Sequence, residues 1–222
     1  MKISEYLPIW HKLNEEEKEL IEKTAALRHA KPGDMIHAVG QECTGLLLVA
    51  SGQLRAFINS ESGREITLYR LLDGDICLFS ASCIIRSLQF DISVSSEKET
   101  DFFIIPTDVF ESLMNKSIAV SSYTNEIMAS RMTDIMWLME QVIWQSFDKR
   151  LAGFLIEESA LEESLTLSIT HDTISNHLGT AREVVTRMLK YFQSEGMVSL
   201  SRGSITITDL EKLNYLRSIP QG

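Results

Sequence analysis

The side chains between Arg182 and Arg187 have donor and acceptor groups that match those of base pairs in duplex DNA. One face of a predicted helix, opposite its apolar residues, carries Arg182, Glu183, Thr186 and Arg187. An arginine can donate two hydrogen bonds to guanine, and a glutamate can accept one from cytosine. These residue types on one face therefore fit contacts with bases.

The flanking sequence predicts the elements that would position this helix. Thr170 can cap a short helix that ends at Gly179, and a second helix follows at once. Two short helices joined by a glycine turn are typical of the helix-turn-helix. The alternation around Arg202-Gly203 predicts a β-hairpin, or wing. Phosphate contacts, which position a protein on DNA, are predicted for Thr170, His171, Ser201 and Arg202.

The charge distribution is consistent with a small DNA-binding surface. The net charge of -10 argues against general coating of nucleic acid or anionic membranes. Between His171 and Gly203, however, four basic side chains stand against three acidic ones. Charged residues on an isolated helix are usually a solvated face, but the predicted helix-turn-helix and hairpin favour DNA recognition here.

The region from Lys31 to Pro106 has the pattern of an antiparallel β-barrel. Short apolar runs are separated by turn signals roughly every 8 to 12 residues. Gly33-Asp34 and Gly74-Asp75 open similar predicted strands, which hints at a repeated turn. Before the barrel, Asn14 is predicted to cap a short helix.

From Thr107 to about Gln145 the apolar period becomes helical. A seam with alternating spacings of four and three residues is formed by Met128, Met132, Ile135, Met139 and Val142. Such a helix could pack only on its own barrel, or could also pack on its twin in a homodimer. The seam and the additional apolar residues favour the dimer.

The order of these elements resembles the CRP/FNR family of bacterial transcription regulators over nearly the whole chain. The resemblance is carried by "KPGDMI", the barrel segment from Gly45 to Asp75, the long helix, and "ISNHLGTAREVVTRMLKYFQSEGMVSL". It implies an α+β fold: a jelly-roll barrel domain over 1–115, a dimerisation helix over 116–146, and a winged helix-turn-helix over 147–222.

The same resemblance implies a function and its partners. The family pattern Gly-x-x-Arg-Glu-x-Val-x-Arg assigns base contacts to Arg182, Glu183 and Arg187, with Thr186 adjacent. A homodimer would bind a pseudo-palindromic operator in double-stranded DNA, act with RNA polymerase, and respond to an effector in the barrel. Ala181 stands where the family usually has a hydroxyl residue, so one phosphate contact is expected to be lost.

The effector cannot be identified from the residues. The segment between Asp75 and Asp91 lacks the glycine and glutamate of the family's cyclic-nucleotide site, although Arg86-Ser87 resembles its second half. No cysteine precedes Cys43, which argues against an iron–sulfur cluster. Cyclic nucleotide and iron–sulfur cofactors are therefore not expected, and the cofactor remains unknown.

Cys77 and Cys83 are candidates for redox sensing or for binding a soft ligand, together with Arg86 as an effector candidate. "CLFSASC" is predicted as a short helix, on which the two cysteines would lie beyond disulfide reach. Packing as buried small apolar residues is the simpler interpretation. The five histidines lack zinc-ligand spacing, so no metal site is expected.

Two other classes of function remain as alternatives. An enzyme on the same barrel has no supporting motif, such as paired carboxylates, a nucleophile motif or a phosphate-binding glycine loop. A ligand-binding signalling module could act through protein partners with little DNA binding, but the retained arginines and glutamate argue against this. The three cysteines suit the cytoplasm, and no apolar run is long enough to span a membrane.

Overall fold

A computed structural model describes residues 1–38, 45–78 and 92–219 of the chain. The chain forms two compact units. The first unit contains Met1–Asn59 and Leu68–Ile135, and the second contains Ser60–Thr67 and Met136–Gly222. The boundary between the units falls after Ile135, inside the region predicted as the dimerisation helix. The domain boundaries expected at 115 and 146 stay predictions.

The N-terminal segment packs on the barrel of the first unit. Two 3-10 turns, Ile3–Glu5 and Trp10–Lys12, precede helix α1, Glu15–Thr24. Asn14 caps α1 as predicted, because its side chain accepts a hydrogen bond from the Glu17 backbone N–H at 2.9 Å. The Glu17 carboxylate accepts one in return from the Asn14 backbone N–H, which completes a capping box.

Within the described ranges up to Ile105, eight strands form two four-stranded sheets. Their bounds are β1 Ala26–Ala30, β2 Met35–His37, β3 Leu46–Ser51, β4 Leu54–Asn59, β5 Glu65–Leu71, β6 Ile76–Cys77, β7 Ile92–Ser96 and β8 Thr100–Ile105. The sheet orders are β1-β8-β3-β6 and β2-β7-β4-β5. Leu47, Leu54, Val94 and Phe102 belong to the core between these strands. The predicted antiparallel barrel is therefore confirmed.

The turns before β2 and β6 repeat the same hydrogen bond. The Lys31 backbone N–H donates to Asp34 Oδ2 at 2.8 Å, and the Leu72 backbone N–H donates to Asp75 Oδ2 at 2.9 Å. The glycine before each aspartate has a positive φ, 90° at Gly33 and 84° at Gly74, which side chains other than glycine rarely adopt. The repeat suggested by the two Gly-Asp pairs thus has a structural basis.

The region from Thr107 to about Gln145, where a helical period was predicted, contains two helices. Helix α2 spans Thr107–Lys116 and helix α3 spans Ile118–Trp144. Ser117 interrupts them with an extended backbone, φ -106° and ψ 114°. The apolar period continues through Ser117 without glycine or proline, so the sequence carries no signal for the break.

The second unit contains the predicted helix-turn-helix and wing. Its elements are α4 Phe147–Leu161, β9 Thr166–Leu167, α5 His171–Leu178, α6 Arg182–Ser194, β10 Val198–Ser201, β11 Ser204–Ile207 and α7 Leu210–Ser218. The three strands form one sheet in the order β10-β11-β9. The sequence predicted three helices in this region, and α7 is the helix that was missed.

Candidate nucleic-acid interface

Helix α6 is fixed by an apolar face and presents a polar one. Val185, Leu189 and Phe192 are fully buried in the core of the second unit. Their spacing of four and three residues keeps them on one side of the helix. The opposite side borders an open groove of about 550 Å³, lined by Arg182, Glu183, Thr186, Arg187 and Lys190. The structure thus brings the four predicted base-contacting residues to one outward face.

The turn between α5 and α6 follows the predicted local chemistry. Thr170 caps α5 by accepting a hydrogen bond from the Thr173 backbone N–H at 3.1 Å. Gly179 ends α5 in the left-handed region, with φ 65° and ψ 38°. Ala181 occupies the N-cap position of α6 and provides no side-chain acceptor for the first turn.

The predicted phosphate-contacting residues lie together around a second concave surface. It encloses about 340 Å³, and its polar lining includes Thr170, His171, Asp172, Arg182, Ser201 and Arg202. Ser201 pairs with Ser204 across the hairpin, so Arg202-Gly203 forms a two-residue turn as predicted. The start of α5, the start of α6 and the tip of the wing thus border one site.

Two contacts link the first turn of α5 to the polar face of α6. Arg182 Nη1 lies 3.2 Å from Asp172 Oδ2. His171 Nδ1 lies 2.8 Å from Thr186 Oγ1, and the Thr186 hydroxyl donates to the Arg182 backbone carbonyl at 2.9 Å. Because that hydroxyl has a single hydrogen, Nδ1–H of His171 is the donor in the first bond.

The surroundings of His171 favour its neutral form. Partial burial is the main cause that lowers the pKa of His171, and the positive charge of Arg182 lowers it further. The negative charge of Asp172 acts in the opposite direction. With Nδ1 protonated, Nε2 of the neutral ring carries the lone pair. Protonation would therefore give His171 a second donor beside the surface predicted to face phosphate.

Asp172 was not among the predicted site residues. The signal that could have found it is an acidic side chain in the first turn of one helix, next to the arginine that starts the following helix. Such a carboxylate is the natural ion-pair partner of the arginine. In the sequence alone, Asp172 only contributes one of the three acidic side chains between His171 and Gly203.

The predicted seam residues on α3 divide into two groups. Met128 and Ile135 pack against core residues of the first unit. Met132, Met139 and Val142 are exposed. The neighbouring residues Met136 and Ile143 are also exposed. Together these side chains form an exposed apolar stripe on α3, with members four, three and four residues apart: Met132, Met136, Met139 and Ile143.

Cys77 is the last residue of strand β6, not part of a helix as predicted. Its side chain is fully buried in the barrel core, and its Sγ lies 4.0 Å from the Tyr69 hydroxyl. Burial raises the pKa of Tyr69, which keeps its phenol protonated. Cys43, Cys83 and Arg86 lie outside the described residues.

Across the part of the chain that the structure describes, no group of three or more histidine, cysteine, aspartate or glutamate side chains has an arrangement suited to a metal ion. Across the same residues, no helix has the length and apolar character needed to cross a bilayer.

Comparisons with known proteins agree with this architecture. A model of the cyclic nucleotide-binding domain matches residues 27–117, and one of the Crp-like helix-turn-helix domain matches residues 149–216. The regulatory protein HlyX of Actinobacillus pleuropneumoniae is 25% identical over 208 residues, which cover 89% of this chain and 85% of HlyX. The cyclic AMP receptor protein of Thermus thermophilus is 24% identical over 209 residues, 94% of this chain and 96% of that protein.

A solved structure gives a much nearer match. The crystal structure of a protein of the Crp/Fnr family from Eubacterium rectale, assigned there as a transcriptional regulator, superposes with a TM-score of 0.94. It is 54% identical in sequence, and the match covers 96% of this chain and 99% of that chain. The chain therefore belongs to the CRP/FNR family of DNA-binding transcription regulators.

Proposed function

We propose that this protein is a homodimer that recognises a pseudo-palindromic operator through helix α6, under the control of an effector in the barrel. The observation that carries the proposal is the outward face of α6, where Arg182, Glu183, Thr186 and Arg187 border one open groove. An α-helix of this kind fits the major groove, where each base pair presents a distinct pattern of donors and acceptors.

Phosphate contacts are assigned to the second concave surface. Thr170, His171, Ser201 and Arg202 border it next to Arg182. Groups at a helix start and at a wing tip can hold the two sides of a groove while the second helix enters it. These contacts would fix the register of α6 on the duplex without selecting a sequence.

The exposed stripe on α3 supports the homodimer. Met132, Met136, Met139 and Ile143 leave large apolar side chains on the surface of one helix, at the spacing used in helix pairs. A second copy of the same helix offers a matching stripe, and a twofold dimer buries the same surface of each copy. Two copies of α6 related by a twofold axis would bind half-sites of inverted sequence.

A path from the barrel to α3 supports effector control. Arg131 of α3 lies over the Tyr69 ring, with its Cζ 4.5 Å from the ring centroid. Its guanidinium also lies 3.3 Å from Asp75 Oδ1 and 3.1 Å from Asp134 Oδ2. Because Tyr69 adjoins Cys77 in the barrel core, a ligand or a redox change there would alter the packing of Arg131 on α3.

Family membership supports RNA polymerase as a further partner and the cytoplasm as the place of action. The alternative, a signalling module acting through protein partners, would not require the polar face of α6. DNA binding therefore accounts for more of the second unit than that alternative does.

The test is a selection of duplexes from a pool with a randomised centre, using the full-length chain at a fixed salt concentration. The expected result is an enriched sequence with two inverted half-sites about one helical turn apart. Enrichment of a single asymmetric site would contradict the dimer, and no enrichment in any purified form of the protein would contradict operator recognition.

A further inference from the structure

The ion pair between α5 and α6 involves only part of the Arg182 guanidinium. Asp172 Oδ2 contacts Nη1 at 3.2 Å. Arginine has five N–H donors in a planar fork, so Nη2 and Nε remain to donate elsewhere. These are the groups that a bidentate contact to guanine O6 and N7 would use. The carboxylate can therefore hold one end of the fork while the other end faces a base.

We propose that Asp172 is a positioning residue that fixes Arg182 for base recognition and withholds it from phosphate. The inference rests on the proposed function, since it requires Arg182 to contact a base. Arg182 already borders the concave surface that Arg202 and Thr170 line. Without the carboxylate, its whole guanidinium would be free to turn to a phosphate there. There, any DNA sequence would offer a phosphate, and the arginine would no longer discriminate between sequences.

The exposure of the pair sets the size of the effect. Both side chains are 61% exposed, so water competes for the contact. Exposed ion pairs contribute at most about 1 kcal/mol, which corresponds to about a fivefold change in an equilibrium constant. Asp172 is thus expected to bias the orientation of Arg182 without fixing it completely. Its removal should therefore change how well the protein discriminates between DNA sequences.

A second contact strengthens the argument that the first turn of α5 positions α6. His171, next to Asp172, donates to the Thr186 hydroxyl at 2.8 Å. The same turn therefore engages two of the four predicted base-contacting side chains. Within the described part of the chain, the side chains of Glu183 and Arg187 make no comparable contact with α5.

The experiment measures the affinity for the selected duplex and for every single base-pair variant of it. Wild type is compared with Asp172→Asn, Arg182→Ala and the double variant. Asp172→Asn is expected to reduce discrimination by up to about fivefold at one base position in each half-site, the same position that Arg182→Ala affects. It should also raise the affinity for a scrambled duplex, and the double variant should have the profile of Arg182→Ala alone.

Two matched variants separate positioning from charge. Asp172→Glu keeps the carboxylate and should retain most of the discrimination. Glu211→Gln removes one negative charge from α7, at a residue that lines neither concave surface, and should leave the profile unchanged. If Asp172→Asn raises the affinity for all duplexes equally with an unchanged profile, the residue only repels phosphate and the inference is overturned.

The outcomes also distinguish this inference from the function on which it rests. If wild type enriches no sequence, operator recognition fails and the role of Asp172 fails with it. If wild type enriches a sequence and Arg182→Ala changes its profile, but Asp172→Asn does not, only the role of Asp172 is overturned.

Discussion

At the scale of single residues, the proposed interface separates groups that are expected to select a sequence from groups that are expected to hold DNA of any sequence. Arg182 starts α6 and borders both concave surfaces, whereas Arg202 lies at the tip of the wing and borders only the second. A base contact depends on the identity of one base pair, but a phosphate contact does not. The two arginines should therefore respond differently to the same substitution.

Arg182→Ala is expected to cost about 1–3 kcal/mol of specific binding and to relax the preference at one base position. Arg202→Ala should weaken binding to all duplexes alike and reduce the slope of log K against log salt by about 1. Titrations of the selected and scrambled duplexes at several salt concentrations measure both effects. Uniform losses in both variants would show that Arg182 does not contact a base.

His171 should make DNA binding dependent on pH. Its pKa is lowered in the DNA-free protein by partial burial and by Arg182. A nearby phosphate would favour the imidazolium, so binding would take up a proton. Affinity should then rise as the pH falls from about 7.5 to below the ordinary histidine value of about 6.5. His171→Gln should remove this dependence, whereas His11→Gln in the first unit should leave it in place.

The same shift has the opposite sign for stability. Because the folded protein holds the His171 proton less tightly than the unfolded chain does, the stabilising effect is fully present above the unfolded pKa. It is lost as the pH falls towards the lowered folded pKa. Measurements of the free energy of unfolding from pH 8 to 5 on wild type and His171→Gln test this. If the free energy of unfolding fell less in wild type than in His171→Gln as the pH was lowered, the burial argument would be contradicted.

At the scale of elements, the features that the sequence predicted are those with local causes. The cap at Asn14, the cap at Thr170, the left-handed Gly179 and the Arg202-Gly203 turn each depend on a few adjacent residues. The apolar period of α6 likewise identified its buried face before any packing partner was known. Local chemistry is therefore enough to outline the helix-turn-helix and its wing.

The features that were missed depend on packing between distant residues. Helix α7 has a local start signal in the cap at Asp209, but it is held in place by Leu213, which is fully buried in the core of the second unit. The break at Ser117 has no breaker residue. The apolar seam of α3 was predicted as one surface, but Met128 and Ile135 are used by the core of the first unit. Asp172 acquires a role only when α5 lies beside α6.

The start of α6 offers a test of the capping argument. Ala181→Ser would supply the missing side-chain acceptor and should stabilise the protein by about 1 kcal/mol. Thr170→Ala is the matched reverse change, since it removes the hydrogen bond to the Thr173 backbone N–H, and it should destabilise by a similar amount. Denaturant unfolding of wild type and both variants measures these changes. If Ala181→Ser had the same free energy of unfolding as wild type, the assignment of Ala181 as an uncapped helix start would be contradicted.

At the scale of the whole molecule, the exposed stripe on α3 is assigned to the proposed dimer. Met136 lies in the middle of the stripe and is half exposed. Met136→Glu would place a charge in the proposed seam on each copy, which should shift the protein towards monomer and weaken operator binding. Met136→Leu keeps the seam apolar and should preserve both properties.

Sedimentation equilibrium and duplex titration of these two variants test the dimer. An unchanged dimer with Met136→Glu would place the contact between copies on another surface. A monomer that still bound the full operator with wild-type affinity would break the link between the seam and DNA recognition.

The most direct test of major-groove recognition by α6 is methylation interference on the selected duplex, because methylation of guanine N7 blocks a major-groove acceptor. Two patches of interference are expected, one in each half-site and about one helical turn apart. In Arg182→Ala, interference at one guanine in each patch should disappear. A single patch would contradict the twofold dimer. If methylation of the guanines in the selected duplex did not impair binding by wild type, major-groove recognition by α6 would be contradicted.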